Sequence, residues 1–316
     1  MKTSCRYGCL VFLVLLVALV GCGAPVAPTT PPTHTPPPPT ETRSPIVVPS
    51  PTPSPEPPTE TPAPSPSPTP APTMTADEEY ALVSQMLQDN GGCRLPCWWG
   101  FTPGETPWET SRTFFASLGK ETVTWSSDDA QHFAVYFHIP DRNHVHSQGY
   151  HEKNGTLDRI GVHAALPTDE DGHYLYGDPQ FAEDWQAYML TQILKSYQAP
   201  SQAFLGTGSA PWSPFDLLLF YPEEGFLVQY SGVAEEREGK TWLVCPHLAE
   251  ITLQLWPPGR ITKLGDVPGV VSAHADDPTW GPYSLEEATG LSIDEFYEIF
   301  VQPGNQACLE TPADLW

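Results

Sequence analysis

The chain has 316 residues, with 14 Lys+Arg against 38 Asp+Glu and a formal net charge of −24. With no basic patch to neutralise a phosphate backbone, this balance argues against nucleic acid as a partner. An anionic lipid surface would repel such a body, so charge alone cannot bring it to a membrane.

At the amino end, Lys2 and Arg6 precede an apolar run from Cys9 to Val20, followed by Leu19-Val20-Gly21-Cys22. The run is shorter than the roughly 20 apolar residues a bilayer-spanning helix needs. It has the parts of a secretory signal: a positive start, an apolar core and a small residue at the cut. Leu19-Val20-Gly21-Cys22 resembles the lipobox of bacterial lipoproteins. That resemblance implies a signal peptide over residues 1–21, lipid attachment at Cys22, and an extracytoplasmic protein held to the membrane by its lipid alone.

Residues 22–75 are dominated by Pro, Thr and Ser, as in Thr35-Pro36-Pro37-Pro38-Pro39-Thr40. Such a stretch cannot bury enough apolar surface to offset its ordering entropy, so a disordered linker is expected. Polyproline II rises about 3.1 Å per residue, which gives the stalk a reach of up to ~150 Å. Its composition is also that of O-glycosylated stalks.

All ten Trp lie beyond residue 75, in a composition able to form a core. Of the seven Cys, Cys5 and Cys9 fall in the signal segment and Cys22 takes the lipid, leaving Cys93, Cys97, Cys245 and Cys308. Four cysteines allow three pairings. Cys93–Cys97 and Cys245–Cys308 are favoured, the first because a short loop with Pro96 can fold back on itself. Zinc is the rival cofactor, against which the Cys-x3-Cys spacing and an oxidising compartment both count.

In chain order, Thr75-x-x-Glu78 is a capping box that opens a helix through Leu87, closed by Gly91-Gly92. Thr106-Pro107-Trp108-Glu109 predicts a second capping box, with a helix that buries Trp108, Phe115 and Leu118 and stops at Gly119. Strands follow at 132–139, 145–152 and 156–166, the last two joined by Asn154-Gly155, a strong hairpin signal. Asp178-Pro179 opens a long helix expected to run to about Tyr197. Further strands are expected at 215–221, 226–233, 242–245 and 251–256. Ser284-x-x-Glu287 and Ser292-x-x-Glu295 then cap two short helices. Segregated runs of helices and antiparallel strands read as α+β, with helices packed on antiparallel β-meanders. The repeated order suggests two units, 76–177 and 178–316.

Pro103-Gly104-x-Thr106, a helix, and then Leu118-Gly119 resembles the signature of small outer-membrane assembly lipoproteins of the SmpA/OmlA (BamE) type. Their fold is similar to each half of the β-lactamase-inhibitor proteins. The resemblance implies tandem units of that kind and a role in binding other proteins. Cys93-Arg94-Leu95-Pro96-Cys97-Trp98-Trp99-Gly100 is similar to a motif of bacterial lipoproteins with no activity attached to it.

No Gly-x-Ser-x-Gly, His-Glu-x-x-His, Gly-x4-Gly-Lys or Gly-x-Gly-x-x-Gly element is present, and no residue is assigned a catalytic role. Seven His lie between His132 and His173. His144 and His146, two apart on a strand, point the same way, and His151 or His138 is expected to add a third metal ligand, with Asp141 a further carboxylate. Asp169-Glu170-Asp171-Gly172 lacks calcium-loop spacing and reads as a solvated turn. Trp98 and Trp99 are candidate ligand-binding rings, weighed against a buried corner stapled by the disulfide. The leading expectation is a non-catalytic binding module for a protein or cell-wall glycan. The alternatives are a metal-binding protein or metal-dependent hydrolase using His132–His173, and a purely structural envelope protein.

Overall fold

Thr75 opens the first helix as its capping box requires: its hydroxyl accepts from the Glu78 amide, and the Glu78 carboxylate reaches back to the Thr75 amide. The structure, a computed structural model, describes residues 74–118, 120, 123–127, 130–139, 144–207, 214–237, 240–268 and 282–315, with 76, 127, 130, 138, 139, 144–146 and 207 as backbone only. The lipobox, Cys22 and the Pro-rich segment lie outside the described residues, as do Gly119 and Asp141.

The elements are helices α1 (Ala76–Asp89) and α2 (Trp108–Ser117), then strands β1 (Val123–Ser127), β2 (Ala130–Ile139), β3 (His144–Lys153) and β4 (Thr156–Ala164). There follow α3 (Pro179–Asp184), α4 (Leu190–Tyr197), β5 (Gln202–Thr207), β6 (Pro214–Tyr221), β7 (Phe226–Val233), β8 (Glu235–Arg237), β9 (Thr241–Val244) and β10 (Glu250–Leu255). Last come β11 (Tyr283–Ser284), α5 (Leu285–Thr289), α6 (Ile293–Phe300) and β12 (Leu309–Pro312). The architecture is α+β around one large antiparallel sheet of order β1-β2-β3-β4-β10-β7-β6-β5-β11. A small sheet, β12-β9-β8, lies beside it.

That order has an internal symmetry. A helix pair precedes the meander β1-β2-β3-β4, and a second helix pair precedes the meander β5-β6-β7-β10. The two meanders join through their last strands, β4 against β10, so the sheet crosses the residue 177/178 boundary without a break. One face of the sheet, carrying Phe133, Val135, Tyr150, Ile160, Val162, Leu253, Val228 and Leu217, packs with Val83, Phe115, Trp185 and Ile193 of the helices into a common core.

Two helix expectations need correction. The second capping box does not form: Pro107 is the N-cap without a side-chain bond, and the Thr106 hydroxyl accepts from the Thr102 amide instead. The long helix from Pro179 is broken, with Met189 extended between α3 and α4. The break leaves the Tyr188 carbonyl to accept from the buried Tyr230 hydroxyl at 2.9 Å, a partner from β7 that a continuous helix would exclude. Tertiary packing here overrides helical periodicity.

Both expected disulfides are formed, Cys93–Cys97 and Cys245–Cys308. Bonded cysteines offer no thiolate, which removes the zinc alternative at Cys93 and Cys97. Such bonds persist in an oxidising, extracytoplasmic setting. Among the described residues, no helix is long and apolar enough to cross a membrane.

Candidate functional site

Strand alternation puts every second residue of the large sheet on the face away from the helices. Register then sorts that face into cross-strand rows. Ala134, Gly149, Gly161 and Gln254 lie opposite one another in sequence. On one side runs the row Trp125, His132, His151, Arg159. On the other runs Tyr136, Ser147, His163, Thr252.

The middle row carries almost no side chain over its first three positions, so it forms the floor of a trough crossing β2, β3 and β4. Rows two residues away on either side stand about 14 Å apart, from ~3.4 Å per strand residue. Trp125 (47% exposed) and Tyr136 (44%) stand on its rims, and Val123, opposite Ala134, closes the β1 end of the middle row.

The same face is closed over β5, β6 and β7. There Leu218, Phe220 and Leu227 meet Trp256, Ile261, Leu264 and Val267 in a second apolar cluster, with Phe204 against it. The segment after β10 folds back to make this cover. Gly225 permits it: its φ is +83°, and a Cβ there would sit 2.3 Å from the Trp256 carbonyl oxygen. The Gly225 carbonyl in turn accepts from the Trp256 amide.

The first rim is also the polar end of the open half. A bulge between His151 and Glu152 inserts Asp158 into β4, so that Asp158 and Arg159 sit side by side. Asp158 pairs with Arg260 and, at 3.6 Å, with Arg159. The Nδ1 atoms of His132 and His151 face each other at 2.5 Å, and the Trp125 ring stacks on His132 at 5.5 Å with an interplanar angle of 17°. Burial, then Arg159, then His132 push the His151 imidazole down to about 4. Burial and Arg159 lower His132 as well. Both rings are neutral at pH 7.

His151 is thus brought to His132, not to His144 or His146. His146 lies five residues and His144 seven residues before His151 on β3, roughly 17 and 24 Å along the strand, beyond the span of one metal ion. The expected set His144, His146, His151 does not converge. The side chains of His144 and His146 lie outside the described residues, as does that of His138.

Trp98 and Trp99 are 0% and 3% exposed and present no platform to a ligand. Trp98 stacks between Trp99 at 5.7 Å and Trp185 at 6.4 Å, tying the disulfide loop to α3 and its following turn. The loop itself is held by Asn90, whose amide donates to the Cys93 and Cys97 carbonyls and whose carbonyl oxygen accepts from the Trp99 amide. These residues are a structural corner.

Asp169, Asp171 and His173 cluster on an exposed turn. Asp169 spends its oxygens on that turn, accepting from the Asp171 and His173 amides at 2.9 Å, which holds its carboxyl below the usual range. A cleft of about 500 Å³ opens between α3, the start of α4, His247–Leu248 and residues 304–307. Its one titratable lining residue is His247, so no acid–base pair is assembled there. No family model matches the chain, and neither a curated protein nor a solved structure resembles it.

Proposed function

We propose that the protein is a lipid-anchored, extracytoplasmic binding module that holds another protein on the open half of its sheet. One observation carries this reading: among the described residues, the same sheet face is sealed by its own chain over β5–β7 but has no such apolar cover over β1–β4, where a trough of small residues stands between exposed aromatic rims. At Gly149, where an added Cβ would meet nothing closer than 3.9 Å, a partner can approach the backbone closely, whereas the Gln254 side chain lies over Gly161. Trp125 and Tyr136 supply large, stiff contact area at small cost in side-chain entropy, the pattern of binding hot spots.

Further support comes from the mirrored strand order, in which each half has two helices and four antiparallel strands; this fits the duplicated unit that the resemblance to BamE-like and β-lactamase-inhibitor-like proteins implies. In this reading the lipid on Cys22 fixes the chain to the membrane, and residues 22–75 are a disordered stalk that lifts the folded body up to ~150 Å clear of it. Anionic surface groups keep that body off the lipid.

The test is site-specific photo-crosslinking in intact cells. A benzophenone side chain at Tyr136 is expected to give one dominant adduct, and the same group at exposed Lys263, on the cover of the other half, is expected to give none. Equal adducts from both positions, or none from Tyr136, would count against the reading. Loss of acyl-chain labelling in Cys22→Ser tests the anchor separately.

A further inference from the structure

We propose that His132 and His151 form a two-histidine clip for a tetragonal divalent cation of the copper(II) type, set into the rim of the open face. The two residues are directly opposed on β2 and β3 and share one face. Their rings meet edge to face, with centroids 4.6 Å apart and planes at 77°, and turn Nδ1 toward Nδ1 at 2.5 Å. Facing each other, the two Nδ1 atoms share a hydrogen bond; a small turn of each ring away from that contact lets both converge on one ion held between adjacent strands.

With metal–nitrogen bonds of about 2.05 Å, a right-angled site needs nitrogens ~2.9 Å apart and a tetrahedral one ~3.3 Å, so the rings open from their 2.5 Å contact for either ion, and least for a tetragonal one. Copper(II) stands above nickel(II) and zinc in affinity for nitrogen sites.

Trp125 stacks on His132 and holds its ring in place. Carboxylates stand close: Asp158 is paired with Arg159 and Arg260, and Glu152 acts on His132 against the opposing pull of Arg159. The remaining positions of the square fall to water or to a donor atom brought by whatever occupies the trough. The clip rests on the histidine geometry, not on the docking reading.

The full-length protein, stripped with chelator, is titrated with Cu²⁺ and followed by electron paramagnetic resonance and calorimetry. We expect one tetragonal site with two nitrogen ligands, at least tenfold tighter for Cu²⁺ than for Zn²⁺. His132→Gln and His151→Gln should each weaken it at least tenfold, while His163→Gln leaves it unchanged. Diethylpyrocarbonate footprinting needs no variant: copper should protect His132 and His151 in the unaltered chain. Undiminished binding in the double variant, or equal labelling of the two histidines with and without copper, would overturn the clip. Crosslinking from Tyr136 that persists in chelator alongside such a result would refute the clip alone.

Discussion

The two halves of the sheet are built from the same strand order and end differently. On the second half, β6 and β7 carry Leu218, Phe220 and Leu227 on the outer face, and the chain returns after β10 to cover them with Trp256 and Ile261. On the first half, the matching positions are Ala134, Gly149 and Gly161, which give a cover nothing apolar to hold. The lesson concerns energetics. A sheet face is covered where its side chains make covering favourable, about 1.5–3 kcal/mol for each large apolar group buried. Where small residues stand instead, the backbone stays reachable.

Mutation should separate the halves sharply. Trp256→Ala removes the centre of the cover and should cost about 3–5 kcal/mol of stability in urea melts. Opening Cys245–Cys308 by Cys308→Ser, with Cys245→Ser to avoid a stray thiol, frees a closure of 63 residues. On the chain-entropy relation that loop is worth about 4 kcal/mol, a loss confined to the second half and its small sheet. A stability loss below about 1 kcal/mol for Trp256→Ala would mean that the cover is not anchored as described.

How these features show in the sequence follows from how local each one is. The capping boxes at Thr75, Ser284 and Ser292 and the turn at Asn154-Gly155 are written in four residues or fewer, and each forms as read. Strands β1 and β5 escape such reading: Val123–Ser127 is mostly polar and exposed over its first four residues, and Gln202–Thr207 is short with Gly206 inside it. The helix break at Met189 depends on Tyr230, which is distant in sequence. The histidines teach the same point. Alternation along one strand favours His144 with His146, but the contact that forms, His132 with His151, requires the register between two strands. Trp98 and Trp99 read equally as platform or core until Trp185 is placed against them.

The open half should also be the acid-sensitive one. His151 has its pKa lowered from 6.5 to about 4. The unfolded chain therefore binds more protons than the native one between those values, and stability rises with pH across that window. Acidification from pH 6.5 to 4 should remove about 3 kcal/mol through this residue, at 1.36 kcal/mol per unit. His151→Gln should flatten that part of the profile, and an unchanged slope in the variant would place the sensitivity elsewhere. The smallest effects belong to the rims: Trp125→Ala and Tyr136→Ala should each change stability by no more than about 1 kcal/mol, because both residues are nearly half exposed and lie outside the core.

That last contrast permits the most direct measurement, the affinity of the Trp125→Ala/Tyr136→Ala double variant for the partner crosslinked at Tyr136. A fold as stable as the unaltered chain with binding weakened at least tenfold is the predicted result. Unchanged affinity in the double variant would contradict the claim that the open half of the sheet is the working surface.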